Sequence, residues 1–339
     1  MWCESRKKRV ISFLLPTFTP LPVPPREGYR ANHDTPLLQV SNWMENTLLV
    51  IAGPTASGKT SLALRLAKAY GTEIISADSR QMYREMSIGT AVPSLAERAL
   101  VPHHFVQHLS IHQYYNVSMY EQAVMQLLPS LFAKNSVVVM VGGSGLYIDA
   151  VCRGIDDLPS VDMTLRNELQ NKFGELGIEW LRSQLRLLDP VHYDKVDLRN
   201  PQRMLKALEV CLQTGQPYSS FLTAPRRTRS FRIMKLGLTL PREELNTRIN
   251  QRVDEMVAAG LVNEVESLYE HRNLNALKTV GYKEIFEAIE KQCTLEEAIE
   301  QIKLHTRKYA KRQMTWFQRD NSIRWVHPFQ PAEIEAALP

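Results

Sequence analysis

The segment from Gly53 to Thr60, GPTASGKT, constrains the fold more than any other part of this sequence. It fits the pattern G-x-x-x-x-G-K-[ST] completely, and it lies between an apolar run, LLVIA, and a predicted helix that ends before Gly71. Backbone N–H groups of such a loop bind phosphate oxygens. We predict a diphosphate site formed by Gly53, Pro54, Thr55, Ala56, Ser57, Gly58, Lys59 and Thr60, with Lys59 supplying charge and Thr60 holding Mg²⁺.

The rest of the pattern predicts an α/β fold, a P-loop NTPase-like parallel sheet flanked by helices. Further strands are predicted at EIISA, at 137–141 and at 232–240, whereas the chain after Pro241 is predicted to be helical nearly to Trp325. Asn200 and Pro201 are typical of a helix start, and Gly215 of its end. We expect a core domain at 44–156 and 226–330 and a helical insertion domain at 157–225.

Composition excludes a disordered or fibrous chain. Hydrophobic residues make up 44% and charged residues 23% of the 339 residues, which is typical of a globular protein without a membrane span. Four scattered cysteines favour reduced thiols in the cytoplasm. Separately, we expect a monomer. Five prolines between 16 and 25 favour a disordered extension at 1–43, with Met44 as a candidate start.

Carboxylate and hydroxyl groups follow two of the predicted strands. Asp78 comes after EIISA, and Ser144 lies among glycines that we expect to permit close approach of a substrate. An isolated Asp in this position is often only a helix cap. The run SVVVMV ends in glycine rather than in the Asp that helps hold the metal in common P-loop ATPases, which weakens the case for nucleotide hydrolysis.

Histidines and basic residues form two further groups. His103, His104, His108 and His112 do not form a zinc site by their spacing, and a pair in a loop is commonly polar surface. The net charge is only +5, but seven basic residues and one acid lie between Lys303 and Arg324. This stretch is either a solvated face or a surface that binds nucleic acid.

Six segments occur in the order of a known family: GPTASGKT, ISADSRQMY with IGTA, VGGSGLY, NPQRMLKALEV, TVGYKE and KRQMTWF. On these, the chain from about 47 to about 327 resembles the tRNA dimethylallyltransferases, also called tRNA isopentenyltransferases. The resemblance implies transfer of a dimethylallyl group from dimethylallyl diphosphate to N6 of the adenosine beside the anticodon, in tRNAs that read codons starting with U. No zinc-finger segment follows, so we expect the bacterial form of the enzyme.

The resemblance also implies roles for individual residues. Asp78 would accept the proton of the adenine amine, and Lys59, Thr60 with Mg²⁺, and Arg248 would stabilise the departing diphosphate. Arg252, one turn after Arg248, is equally compatible with a solvated face.

The same resemblance implies contacts to the tRNA anticodon stem-loop, whose target base must leave its stack to react. Two of the segments concerned depart from the family pattern, because Ser144 stands for Thr and Gln318 for Arg. Trp316 and Phe317 are more typical of core packing than of base stacking. The implied tRNA-binding residues are Asp78, Ser79, Arg80, Gln81, Ser144, Gln202, Arg203, Met204, Leu205, Lys206, Lys278, Thr279, Val280, Gly281, Tyr282, Lys283, Lys311, Arg312, Gln313, Met314, Thr315, Trp316, Phe317 and Gln318.

Other functions remain compatible with the phosphate loop. A small-molecule kinase, or a prenyltransferase acting on free adenine nucleotides, would not need the basic segments. An RNA remodeller driven by nucleotide hydrolysis would use them without transferring any group.

Overall fold

The computed structural model describes residues 45–160, 162–223 and 227–338. The predicted extension at 1–43 lies outside these ranges. Six strands form one parallel sheet in the order β3-β2-β4-β1-β5-β6. Their bounds are β1 Thr47–Ala52, β2 Ile74–Ser76, β3 His103–His104, β4 Val137–Gly142, β5 Arg232–Leu238 and β6 Ile323–Val326.

Helices pack against both faces of this sheet, and other helices pack around apolar clusters of their own. Short 3₁₀ turns occur at Tyr218–Phe221, Tyr269–His271 and Asn275–Leu277. The α-helices of the described chain are α1 Lys59–Tyr70, α2 Leu95–Leu100, α3 Val117–Phe132, α4 Gly145–Arg153, α5 Met163–Leu188, α6 Pro190–Tyr193, α7 Pro201–Thr214, α8 Arg242–Ala258, α9 Leu261–Ser267, α10 Lys283–Ile289, α11 Leu295–Phe317 and α12 Pro331–Ala337. None of them is both long and apolar enough to span a bilayer.

Strand β1 is the centre of the hydrophobic core. All six of its residues are buried, and alternate side chains enter the two apolar clusters on opposite faces of the sheet. Leu48 and Val50 pack on the side of α3 and α4, whereas Leu49 and Ile51 pack on the side of α1 and α12. The period of two that places these side chains on opposite faces follows from the pleat of a strand.

The helix ends follow the local chemistry that the sequence predicts. Helix α1 ends at Gly71, whose φ of 62° is left-handed and suits glycine. The side chain of Asn200 accepts a hydrogen bond from the N–H of Arg203 at the start of α7, and Gly215 ends that helix with φ 70°. Both predicted helices are confirmed.

Helices α5 to α7 pack around an apolar cluster of their own, which includes Leu181, Leu185, Met204 and Leu208. Gly177, with φ 72° and ψ −170°, divides α5 by a kink. These helices lie within the segment predicted as an insertion domain.

Two predictions about secondary structure are wrong. The chain after Pro241 is not helical nearly to Trp325, because Ile323–Val326 pairs with β5 as an edge strand. The histidine pair is not in a loop, because His103 and His104 form β3 beside β2. Both strands are short, and pairing with a distant segment rather than local sequence stabilises them.

Candidate active site

The phosphate loop follows β1 and is fixed by contacts from two distant helices. Gln313 of α11 accepts a hydrogen bond from the N–H of Thr55 at 2.9 Å, and its amide donates to the carbonyl of Gly143 at 2.9 Å. Arg248 of α8 donates through Nε to the carbonyl of Ala56 at 2.9 Å. The loop is therefore held in place by side chains about 190 to 260 residues further along the chain.

Lys59 begins α1 and donates from Nζ to the carbonyl of Pro54 at 2.6 Å. Removal from water lowers the pKa of its ammonium group from 10.5 to about 7. The positive charge of Arg252 lowers this pKa further, whereas the negative charge of Asp78 raises it. Arg252 and Asp78 are therefore close enough to Lys59 to interact with it electrostatically.

Asp78 begins a turn at the carboxyl end of β2. Its Oδ1 accepts hydrogen bonds from the N–H groups of Arg80 at 2.9 Å and Gln81 at 3.4 Å. Ser144 stabilises the same turn, because its Oγ accepts from the N–H of Ser79 at 3.0 Å. Asp78 thus caps a turn, as an isolated Asp often does, and the same turn places it beside the phosphate loop.

A cavity of about 660 Å³ joins these groups. Its lining includes Lys59 and Thr60 of the phosphate loop, Asp78, and Arg252 of α8. Burial lowers the pKa of the Arg252 guanidinium, and Asp78 opposes this shift. Arg252 therefore belongs to the cavity and not to a solvated face. Arg248, predicted to stabilise the departing diphosphate, is not among the residues that line this cavity, and its guanidinium lies 4.8 Å from the centre of the Phe329 ring.

Two further segments contribute basic side chains to the lining of this cavity, and these side chains are called the basic wall below. One segment contributes Lys278 and Lys283, the first residue of α10, and α11 contributes Lys308 and Arg312; the acids Glu284 and Glu287 of α10 also line the cavity. Cationic side chains at the mouth of a cavity attract a polyanion. These cations line the same cavity as Asp78 and Lys59.

Comparisons with known proteins agree on one family. The model of the IPP transferase family matches residues 81–320. The chain belongs to the IPP transferase family. It is 51% identical over 288 residues to a protein of Bacteroides thetaiotaomicron named tRNA dimethylallyltransferase 1, covering 85% of this chain and 94% of that one. A protein of Cytophaga hutchinsonii named tRNA dimethylallyltransferase is 45% identical over 293 residues, 86% of this chain and 96% of its own.

Solved structures of IPP transferases support the same assignment. The tRNA isopentenylpyrophosphate transferase of Bacillus halodurans superposes with a TM-score of 0.62 at 34% identity, covering 86% of this chain and 95% of that chain. A eukaryotic dimethylallyltransferase acting on tRNA superposes with a TM-score of 0.70 at 25% identity, covering 85% and 75% of the two chains.

The segments that an IPP transferase is expected to present to tRNA lie in different environments. The turn Asp78 to Gln81 lines the cavity, as do five residues of the segment 278–283 and two of the segment 311–318. In α7, Gln202 and Arg203 are exposed, but Met204 and Leu205 are buried and Lys206 pairs with Glu209 at 2.8 Å. Tyr282 is fully buried. The buried side chains fix the backbone of these segments and do not reach solvent.

Helix α11 carries structural contacts as well as basic side chains. Trp316 donates from Nε1 to Asp149 at 2.9 Å, and Phe317 is only 3% exposed. Both rings pack against the apolar core, as predicted for these two aromatic residues. Further along, Lys311 and Gln318 are exposed.

The basic stretch from Lys303 to Arg324 is not one continuous binding face. Lys303 pairs with Asp254 at 2.8 Å, and Arg324 donates to the carbonyl of Ala337 at 2.9 Å. Lys308 and Arg312 are the members that line the cavity. The stretch is therefore divided between structural contacts and the cavity lining, and its binding of nucleic acid stays a prediction.

The glycines around Ser144 have a packing role that the sequence does not indicate. A Cβ at Gly143 would overlap the amide of Gln313, and a Cβ at Gly145 would overlap the indole of Trp316. The glycines permit α11 to approach the end of β4 closely. Gly143 also lines the cavity, and the approach of a substrate there stays a prediction.

Two residues hold parts of the site together in ways that the sequence does not indicate. Gln313 joins the phosphate loop to β4, and Glu264 of α9 accepts hydrogen bonds from the backbone at 87–89. Gln313 lies in the segment KRQMTWF, for which the resemblance implies a tRNA contact and not this link, and Glu264 lies in none of the six segments. Their partners are more than 150 residues away in sequence.

Proposed function

We propose that this IPP transferase transfers a dimethylallyl group from dimethylallyl diphosphate to N6 of the adenosine beside the anticodon of tRNAs that read codons starting with U, releasing diphosphate. One observation carries the proposal: the phosphate-loop lysine, Lys59, and the carboxylate Asp78 line the same cavity. Transfer between an amine and a diphosphate ester requires a proton acceptor and an anion-binding group on either side of the reacting carbon.

The leaving diphosphate is assigned to the loop 53–60. Its backbone N–H groups and the N-terminus of α1 bind phosphate oxygens, and Lys59 and Arg252 add positive charge. Among the described residues there is no cluster of three or more carboxylate, histidine or cysteine ligands. That agrees with Mg²⁺, which commonly binds proteins through one or two oxygen ligands plus substrate phosphates. Thr60 would hold it there, and when bound it adds positive charge beside the diphosphate.

The acceptor amine is assigned to the side of Asp78. As the N6 nitrogen forms a bond to the allylic carbon, the bond from that carbon to the diphosphate oxygen breaks, and the carboxylate of Asp78 takes the amine proton. Oδ1 of Asp78 is held by two backbone N–H groups, which fix the carboxylate in orientation.

The tRNA is assigned to the basic wall. Lys278, Lys283, Lys308 and Arg312 would bind phosphates of the anticodon loop, while the target base leaves its stack and enters the cavity. A volume of about 660 Å³ is within the usual range for sites that enclose a small ligand. A monomer in the cytoplasm, where tRNA is found, agrees with this assignment.

The decisive experiment supplies purified protein with labelled dimethylallyl diphosphate and tRNA that lacks the modification. Label that appears in the tRNA, and is lost when the target adenosine is replaced by guanosine, supports the proposal. Label transferred to free adenine nucleotides but not to tRNA would assign another acceptor. Phosphate release from ATP that tRNA stimulates, without transfer of label, would overturn the proposal in favour of a remodeller.

A further inference from the structure

The carboxylate of Glu264 on α9 accepts four hydrogen bonds. Oε2 accepts from the N–H groups of Ser87 at 2.9 Å and Ile88 at 2.7 Å. Oε1 accepts from the N–H of Gly89 at 3.0 Å and from the hydroxyl of Tyr282 at 2.6 Å. Three consecutive backbone donors and a phenol converge on one side chain. Hydrogen bonds to an ionised acceptor are roughly twice as strong as neutral ones.

These bonds join two segments that both form the cavity wall. Gly89, Thr90 and Ala91 line the cavity on one side of Glu264, and residues 278–281 line it on the other. The ring of fully buried Tyr282 lies so close to Gly89 that a Cβ there would be 2.6 Å from it. The two wall segments therefore have little freedom to move apart while the carboxylate is in place.

The first of these segments also fixes the turn that carries Asp78. The side-chain amide of Gln81 donates to the carbonyls of Thr90 at 3.2 Å and Ala91 at 3.0 Å. The backbone N–H of Gln81 in turn donates to Oδ1 of Asp78 at 3.4 Å. A path of hydrogen bonds thus runs from Glu264 through the backbone at 87–91 and through Gln81 to the carboxylate.

We propose that Glu264 is a positioning residue for the transfer step, a role that rests on the proposed function. It holds the 87–91 segment against Tyr282, and so fixes Asp78 relative to the diphosphate bound at the phosphate loop. The loop itself is anchored by Gln313 and Arg248, which are independent of Glu264. Loss of Glu264 is therefore expected to lower the rate of transfer while the affinity for the donor stays the same.

Glu264→Gln tests this inference with little change in shape. The amide has one acceptor oxygen in place of two, and its NH₂ group would face N–H donors. Because small displacements of reacting groups cost large factors in rate, we expect kcat to fall about tenfold or more. The donor KM should change by less than about twofold, since ground-state binding at the phosphate loop is unaffected.

Two control variants separate positioning from general stability. Glu266→Gln is the same exchange at an exposed position on the same helix, and it should leave kcat unchanged. Ile334→Ala removes a fully buried side chain from the apolar cluster of α1 and α12, which is separate from the cluster that contains Tyr282. It should lower the melting temperature but leave the kcat of the folded protein unchanged.

Amide hydrogen exchange without substrates gives a readout that does not depend on activity. Faster exchange at 87–89 and 279–282 in Glu264→Gln, but not in Ile334→Ala, supports the positioning role even if the acceptor is not tRNA. Unchanged exchange in these segments would overturn the inference. The inference would also be overturned if Glu264→Gln and Ile334→Ala were equally destabilised and lost kcat to the same extent. Absence of transfer by the unaltered protein would instead count against the proposed function.

Discussion

The lowered pKa of Lys59 predicts how donor affinity depends on pH. With a pKa of about 7, the lysine of the free protein loses its proton as pH rises through neutrality. The protonated fraction falls from about nine tenths at pH 6 to about one tenth at pH 8. If only the ammonium form binds the diphosphate well, the Kd for the donor rises about tenfold over this interval.

The measurement is calorimetric titration of a thio analogue of dimethylallyl diphosphate at constant ionic strength. The donor itself gains charge over the same pH range, so a second protein is needed. Lys59→Arg keeps its charge throughout, because a guanidinium does not deprotonate below about pH 12. The ratio of the two Kd values should change about tenfold between pH 6 and pH 8. A constant ratio would refute the assignment of a lowered pKa to Lys59.

Arg252 provides an internal check on the cause of this shift. Its charge lowers the pKa of Lys59, so Arg252→Gln should move the midpoint of the pH profile of donor affinity upward.

The lowered pKa of Lys59 also affects folding. The unfolded chain keeps the Lys59 proton between about pH 7 and 10.5, where the folded protein has lost it. Stability from this group therefore rises with pH across that window, and Lys59→Met should remove this part of the slope.

Three further predictions concern a close packing contact, a buried ion pair and an exposed lysine of α11. Gly145→Ala should destabilise the protein by about 1–3 kcal/mol in denaturant unfolding, because a methyl group there overlaps an indole of α11; Gly174→Ala, in a helix with open space around it, should be neutral or stabilising. Asp320→Asn leaves the buried ammonium of Lys235 without its charged partner, so we expect a loss of about 3–5 kcal/mol, and a smaller loss would argue against a buried pair. Lys311→Ala should weaken tRNA binding and reduce the slope of log K against log salt by about one, with donor affinity unchanged.

Local chemistry explains which parts of the fold the sequence predicts. The strand, phosphate loop and helix from Thr47 to Tyr70 follow from a contiguous motif with a glycine at each bend. The caps at Asn200 and Gly215 are likewise local. Strands β3 and β6 could not be predicted in this way, because they are only two and four residues long. Strand β3 forms by pairing with β2, and β6 forms by pairing with β5.

The candidate site shows the same division. Lys59, Thr60 and Asp78 are predicted because each has a fixed place after a strand, and the structure places all three on one cavity. Arg252 is ambiguous in the sequence, since helical spacing cannot distinguish a cavity from solvent. Gln313 gives no sequence signal of its role, because a glutamine in a helix bonds to a phosphate loop only through long-range packing.

The central claim is that the adenine amine and the donor react between Asp78 and Lys59, with Asp78 as the proton acceptor. Single-turnover transfer by Asp78→Asn tests it most directly, because asparagine keeps the oxygen that caps the turn and removes only the charge that accepts a proton. We predict a transfer rate lower by about a hundredfold or more, with tRNA and donor still bound. An unchanged single-turnover rate would contradict the account.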